Sequence, residues 1–113
     1  MNILLVDDDL DCLEALQGLV KALEHTCVSV EDPRDALEQY SLHSFDLVIT
    51  DFRMPAMNGN DLARKIRGVN HDAKIILITG YFPFGEAPGE SLFNAVLEKP
   101  VDIHELKKVL DKM

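Results

Sequence analysis

The sequence predicts an α/β domain, a five-stranded parallel sheet with helices on both faces, and three observations lead there. Short, almost wholly apolar runs occur at 2–6, 45–50 and 74–78, the pattern of strands covered on both faces. Apolar residues recur at helical spacing in the stretches between such runs. Strand and helix alternate five times through short connections, which favours right-handed crossovers and parallel pairing.

The first strand is Asn2 to Val6, closed by three aspartates, Asp7, Asp8 and Asp9. Leu13, Leu16, Val20 and Leu23, widened by Leu10 and Leu19, predict a helix over 10–24, with Asp9 suited to cap it. Thr26-Cys27-Val28-Ser29-Val30 is a short second strand. Asp32-Pro33 starts the next helix, because Asp accepts first-turn amides and Pro at N1 lacks only an N–H that would have no partner. That helix buries Ala36, Leu37 and Tyr40. The third strand, 45–50, ends at Asp51.

Met54-Pro55-Ala56-Met57-Asn58-Gly59 reads as a loop, and Leu62, Ala63 and Ile66 mark one face of a helix reaching about Gly68. Lys74 to Ile78 is the fourth strand, followed by Thr79. Gly80, Pro83, Gly85, Pro88 and Gly89 crowd the next stretch and argue against a long helix there, so the fourth helix is expected to be shortened or irregular, near 86–93. Ala95-Val96-Leu97 is a fifth strand, followed by Glu98, Lys99 and Pro100. Asp102 and Glu105 form an expected capping box for a last helix carrying Ile103, Leu106, Val109 and Leu110.

At 113 residues the chain is read as one domain, 1–113, large enough for a core. Its 47% hydrophobic and 27% charged residues argue against disorder. The net charge of -9 and the lack of a Lys/Arg cluster exclude direct nucleic-acid binding as an expectation. The first apolar run is too short and lacks a basic flank for a signal peptide, and no run reaches membrane-spanning length. Cys12 and Cys27 are too few for a disulfide framework and read as buried thiols. The chain therefore reads as cytoplasmic.

The chemistry lies at the strand ends. Asp7 and Asp8 follow strand one, Asp51 strand three, Thr79 strand four and Lys99 strand five. In a parallel sheet all of these meet at the carboxyl edge, where open α/β folds place ligands. Any one of them alone is weak: an Asp after a strand is usually a helix cap, and a Lys before Pro is usually solvated. Together they suit Mg²⁺, with oxygens from Asp8, Asp51, Asp7 and the backbone carbonyl of Arg53. A carboxylate is a competent phosphoryl acceptor once a cation screens the repulsion. Lys99 and the Thr79 hydroxyl then suit the phosphoryl oxygens.

These residues resemble a response-regulator receiver domain of two-component signalling, over essentially the whole chain. The resemblance is carried by Ile3-Leu4-Leu5-Val6-Asp7-Asp8-Asp9, by Asp51-Phe52-Arg53-Met54-Pro55-Ala56-Met57-Asn58-Gly59, by Ile78-Thr79 and by Lys99-Pro100. It implies a flavodoxin-like (βα)5 fold, Asp51 as phosphoacceptor, Asp7 and Asp8 as the Mg²⁺-binding pair, Thr79 as switch hydroxyl and Lys99 as the phosphoryl-contacting lysine. It implies a histidine kinase or histidine phosphotransfer protein as donor, and a domain that catalyses its own phosphorylation and dephosphorylation while serving mainly as a switch. It further implies a downstream effector domain or protein, a homodimer through the fourth-helix face as a candidate assembly, and a Lys99-Pro100 bond that is commonly cis.

The sequence departs from the family pattern at two places. The position three before the lysine, usually Tyr or Phe, is Val96, so the aromatic half of the usual relay is missing; Phe93 is a substitute only if it is not simply core. Thr79 and Lys99 are 20 residues apart, shorter than the family usually needs, and Tyr81, Phe82 and Phe84 form an aromatic group in the shortened stretch. They read either as loop residues folded onto the core or as an exposed anchor. Arg53 and Tyr81 flank the expected phosphoryl site and are candidates for slowing its hydrolysis.

Two competing readings remain. Asp7 and Asp9 superficially fit a Mg²⁺-dependent haloacid-dehalogenase-like hydrolase, but Leu10 and Asp11 break that pattern and the chain leaves little room for a substrate cap. The altered Val96 position keeps open a phosphorylation-independent receiver-like interaction module. The sequence leaves no room for an effector within 1–113, and Met1 directly before the first strand favours a natural N-terminus.

Overall fold

A computed structural model describes residues 1–80 and 92–113. Five strands, β1 (Asn2–Val6), β2 (Thr26–Val30), β3 (Leu47–Asp51), β4 (Ile75–Thr79) and β5 (Ala95–Glu98), form one sheet in the order β2-β1-β3-β4-β5. Every neighbouring pair is parallel. The described helices are α1 (Leu10–Ala22), α2 (Pro33–Leu42), α3 (Gly59–Val69) and α4 (Ile103–Asp111). No helix among the described residues is long and apolar enough to cross a membrane.

Strand alternation sorts the core into two layers. Ile3, Leu5, Ile49, Ile76 and Leu97 face Leu13, Leu16 and Val20 of α1 and Leu106 and Leu110 of α4. Leu4, Val6, Val48, Ile75 and Leu77 face Ala36 of α2 and Leu62, Ala63 and Ile66 of α3. The central strands β1, β3 and β4 are covered on both faces, which explains their unbroken apolar sequences. Truncating one of their fully buried leucines, such as Leu4, to alanine costs about 2–5 kcal/mol.

The helix starts follow from local chemistry. Asp9 accepts from the Asp11 and Cys12 N–H groups; Asp32 accepts from Arg34 N–H, with Pro33 at the first helical position. At α4 the expected capping box gives way to a simpler cap: Asp102 accepts from His104 N–H at 2.7 Å, one residue short of the Glu105 amide a box requires. The reciprocal box occurs instead at α3, where Asn58 accepts from Asp61 N–H and Asp61 accepts from Asn58 N–H.

Cys12 and Cys27 are free and half-buried rather than fully buried, since Cys12 flanks an open groove beside α1 and β2 is an edge strand. Phe93 is a core residue of the α2/α3 layer, and Val96 is 45% exposed on β5. The expectations for an irregular fourth helix and for Tyr81, Phe82 and Phe84 fall on 81–91, outside the described residues.

Candidate metal and phosphoryl-transfer site

Strand order builds the site. β1 and β3 are adjacent, with Val6 opposite Thr50, so the next residues, Asp7 and Asp51, leave the sheet side by side. Asp7 is buried, Asp51 half-buried and Asp8 exposed, and one carboxylate oxygen from each lies within 4.8 Å of the other two. Lys99, just past β5, reaches across to both strands: its Nζ is 3.0 Å from Asp7 Oδ2 and 3.4 Å from Asp51 Oδ2.

Backbone amides fix the carboxylates further. Asp7 Oδ1 accepts from Asp9 N–H at 3.0 Å and Asp51 Oδ1 accepts from Phe52 N–H at 2.9 Å. The Lys99 N–H donates to the Thr79 carbonyl, so Lys99 and Thr79 are tied at the end of the β4–β5 pair, and Thr79 is 3% exposed. The Lys99-Pro100 peptide is cis. Arg53 is exposed in the β3–α3 loop, and with Asp8, Met54, Pro55 and Asn58 it lines a hollow of about 370 Å³ at the site's mouth.

The electrostatics are unbalanced. Burial pushes the Asp51 carboxyl above the usual carboxylate range, the Asp7 charge pushes the same way, and Lys99 pulls it partly back. Burial alone would lower Lys99, but the hydrogen bond to Asp7 and the charges of Asp51 and Asp7 outweigh it and hold the ammonium above its ordinary value. One ammonium among three carboxylates leaves negative charge uncompensated. An all-oxygen set with excess negative charge fits a hard divalent cation.

Gly59 determines how closely α3 approaches. A Cβ there would sit 2.9 Å from the Asp51 carbonyl oxygen, 3.0 Å from Leu77 Cδ1 and 3.1 Å from Phe52 Cα, and the Gly59 N–H donates to the Phe52 carbonyl at 2.7 Å. The final Gly of the loop motif therefore lets the helix start press against the strand carrying Asp51. Ala56, earlier in that loop, takes a positive φ of 73°.

Residues 3–111 match the family model of the response regulator receiver domain. The chain belongs to this family. It is 35% identical to the response regulator receiver protein CpdR of Brucella abortus, over 99% of this chain and 95% of that protein. It is 32% identical to the transcriptional regulatory protein ZraR of Escherichia coli K12, where it spans only 26% of that protein's length. Among solved structures it resembles TrrA of Thermotoga maritima, crystallised in complex with Mg²⁺-BeF, with 31% identity, a TM-score of 0.89, and coverage of 98% and 96% of the two chains. A receiver domain from Methylobacillus flagellatus gives the same TM-score at 26% identity, covering 99% of this chain and 97% of that one. The receiver fold and its acidic cluster make this domain a phosphorylation-type signalling switch.

The structure brings together the acids, Thr79 and Lys99. Sequence reasoning passed over the Phe52 and Asp9 amides, the Asn58 cap and the Gly59 contact. Gly59 carried a signal as the glycine closing the loop motif, and Asn58 carried one as a cap-type residue three before Asp61.

Proposed function

We propose that this domain accepts a phosphoryl group on Asp51 from a histidine kinase or histidine phosphotransfer protein, and that the change alters its protein contacts. The observation that carries this reading is the convergence of Asp7, Asp8 and Asp51 within 4.8 Å, with Lys99 Nζ 3.4 Å from Asp51. Asp8 and Asp51, with Asp7 and the Arg53 carbonyl, would hold Mg²⁺. When bound, the ion supplies screening between the carboxylates and the incoming phosphoryl group. The Mg²⁺-BeF complex of TrrA supports the same chemistry here.

In the transfer an Asp51 carboxylate oxygen forms a bond to phosphorus as the bond from phosphorus to the donor breaks, and the donor leaves with that electron pair. Phe52 N–H holds Asp51 Oδ1, leaving the carboxylate in one orientation. Lys99 is shared between Asp7 and Asp51 before transfer and turns to the new phosphoryl oxygens afterwards; Thr79 supplies a second donor. Charge-assisted hydrogen bonds contribute about 1.5–3 kcal/mol each. Reversing an equilibrium from 1:99 to 99:1 needs about 5.5 kcal/mol, the sum of about two to four such bonds.

Intact mass after incubation with Mg²⁺ and acetyl phosphate tests the reading. One phosphoryl addition is expected, absent from D51A; an unmodified wild type or a modified D51A would defeat it. The exposed Val96 in the usual aromatic position supports a second reading, an interaction module whose partner binds equally before and after modification. An effector domain or protein, or a second copy of the chain, is the proposed recipient of the signal.

A further inference from the structure

We propose that Thr50 is a positioning residue for phosphoryl acceptance, its buried hydroxyl fixing the Asp51–Phe52 peptide and, through it, the Asp51 carboxylate. The inference rests on Asp51 being the acceptor. Among the described residues the buried polar side chains are Asp7, Thr50 and Thr79. Asp7 and Thr79 belong to the site; Thr50, at 1% exposure, has no part in it so far. By strand alternation its side chain leaves the face opposite Asp51, toward α2 and α3.

The Thr50 hydroxyl donates to the carbonyl oxygen of Asp51 at 2.9 Å, and the Met54 sulfur lies 4.0 Å from the same hydroxyl. That carbonyl belongs to the peptide unit whose N–H, on Phe52, holds Asp51 Oδ1 at 2.9 Å. A trans peptide is planar, with C=O and N–H pointing in opposite directions. Fixing the oxygen on one side therefore fixes the N–H on the other, and the N–H orients the carboxylate. Gly59 presses on the same oxygen, since a Cβ there would lie 2.9 Å from it, and Gly59 N–H holds the next carbonyl, that of Phe52, at 2.7 Å. Two successive peptides are thus pinned beneath the acceptor, and Thr50 contributes a side-chain hydrogen bond to the carbonyl of the first of them.

Transfer needs the acceptor oxygen aligned with the breaking bond, and small misplacements are expensive in rate. Without the hydroxyl the Asp51–Phe52 plane loses one of its restraints, and the added motion passes to the carboxylate through the Phe52 N–H. The role differs from stabilisation of the fold. Valine has nearly the same shape as threonine and suits a buried strand, so Thr50→Val removes the hydrogen bond and leaves packing in place.

The test compares wild type, Thr50→Val and Thr50→Ser. Initial phosphorylation rates are measured with acetyl phosphate at saturating Mg²⁺, alongside the Mg²⁺ half-saturation, the melting temperature and hydrogen exchange at the Phe52 amide. Thr50→Val should be phosphorylated about tenfold more slowly, with Mg²⁺ half-saturation and melting close to wild type and faster exchange at Phe52. Thr50→Ser, which keeps the hydroxyl, should recover most of the rate and the slow exchange. A wild-type rate in Thr50→Val, an equal loss in Thr50→Ser, or a loss matched by weaker Mg²⁺ binding would overturn the proposal. A D51A control that still gained a phosphoryl group would overturn the acceptor assignment itself, a failure distinguishable from one confined to the Thr50 variants.

Discussion

Lys99 lies closer to Asp7 than to Asp51: its Nζ is 3.0 Å from the first carboxylate and 3.4 Å from the second. The lysine thus holds β1, β3 and β5 together through one charge, and its nearer partner is not the acceptor. Asp51 is left with the weaker share of that charge, consistent with its raised carboxyl pKa. A lysine so placed is available to an arriving phosphoryl group without first abandoning a tight pair with the acceptor.

Removing this ammonium should strengthen cation binding. Lys99→Met takes a positive charge from a site that already has excess carboxylate, and opposing charges at this separation act through several kcal/mol at intermediate dielectric before screening. Mg²⁺ affinity should rise about three- to tenfold by titration, while phosphorylation by acetyl phosphate slows. Unchanged or weaker Mg²⁺ binding would contradict the charge accounting.

The raised Asp51 carboxyl predicts a pH-dependent strain in metal-free protein. Its folded pKa lies above the unfolded value, with burial as the main cause. Between the two values the native state binds more protons than the unfolded state, so stability falls as pH rises through that window. Above it the cost is constant. Asp51→Asn should therefore melt higher than wild type at pH 7 in EDTA, and the difference should vanish at pH below the ordinary carboxylate value and shrink with Mg²⁺. Thermal melts across pH, with and without Mg²⁺, check each part.

Gly59→Ala should be costly for a reason specific to its neighbours. Two of the three groups its Cβ would meet are backbone atoms, the Asp51 oxygen at 2.9 Å and Phe52 Cα at 3.1 Å, and these cannot rotate aside. Overpacking of this kind costs about 1–3 kcal/mol. Urea unfolding should show that loss, together with slower phosphorylation, whereas Gly68→Ala, where nothing lies near the added methyl, should be neutral or slightly stabilising.

Arg67 anchors the chain just before β5. Its guanidinium donates to the Leu92 carbonyl from Nε and Nη2 at 3.0 and 2.8 Å, to the Ala73 carbonyl at 2.7 Å, and to Asn94 Oδ1 at 3.2 Å. Asn94 Oδ1 also accepts from Ile75 N–H. Arg67→Ala should lose about 1.5–3 kcal/mol and speed amide exchange at Asn94 and Ile75. Arg67→Lys should recover little, since one ammonium cannot span these acceptors; a full recovery would show that charge alone is what matters there.

Much of this was legible because burial and chemistry leave different marks. The central strands announce themselves as unbroken apolar runs since both faces are covered, and acids at the ends of two of them meet at one sheet edge, a coincidence that strand and helix alternation alone does not require. β2, an edge strand, was read from its β-branched residues. Strand ends drifted by a residue or two, as at β3, read as 45–50 and found at Leu47–Asp51, because apolar content does not reveal where ladder hydrogen bonds stop. Asp102 caps the last helix as its residue type implies but forms no box with Glu105, since whether an Asp reaches the second or third amide depends on its rotamer. Contacts made by backbone groups, such as Phe52 N–H on Asp51 and Asp9 N–H on Asp7, leave no trace in residue identity. Arg67 was equally silent: an arginine near a helix end looks solvated until its distant acceptors are in place.

The pairing of Val6 with Thr50 has a last consequence. Slippage of β3 by a single residue against β1 would carry Thr50 to the position beside Asp7 and turn the acceptor to the opposite side of the sheet. A one-residue insertion in β3 ahead of Thr50 would therefore erase the chemistry while every reactive side chain remained in the protein.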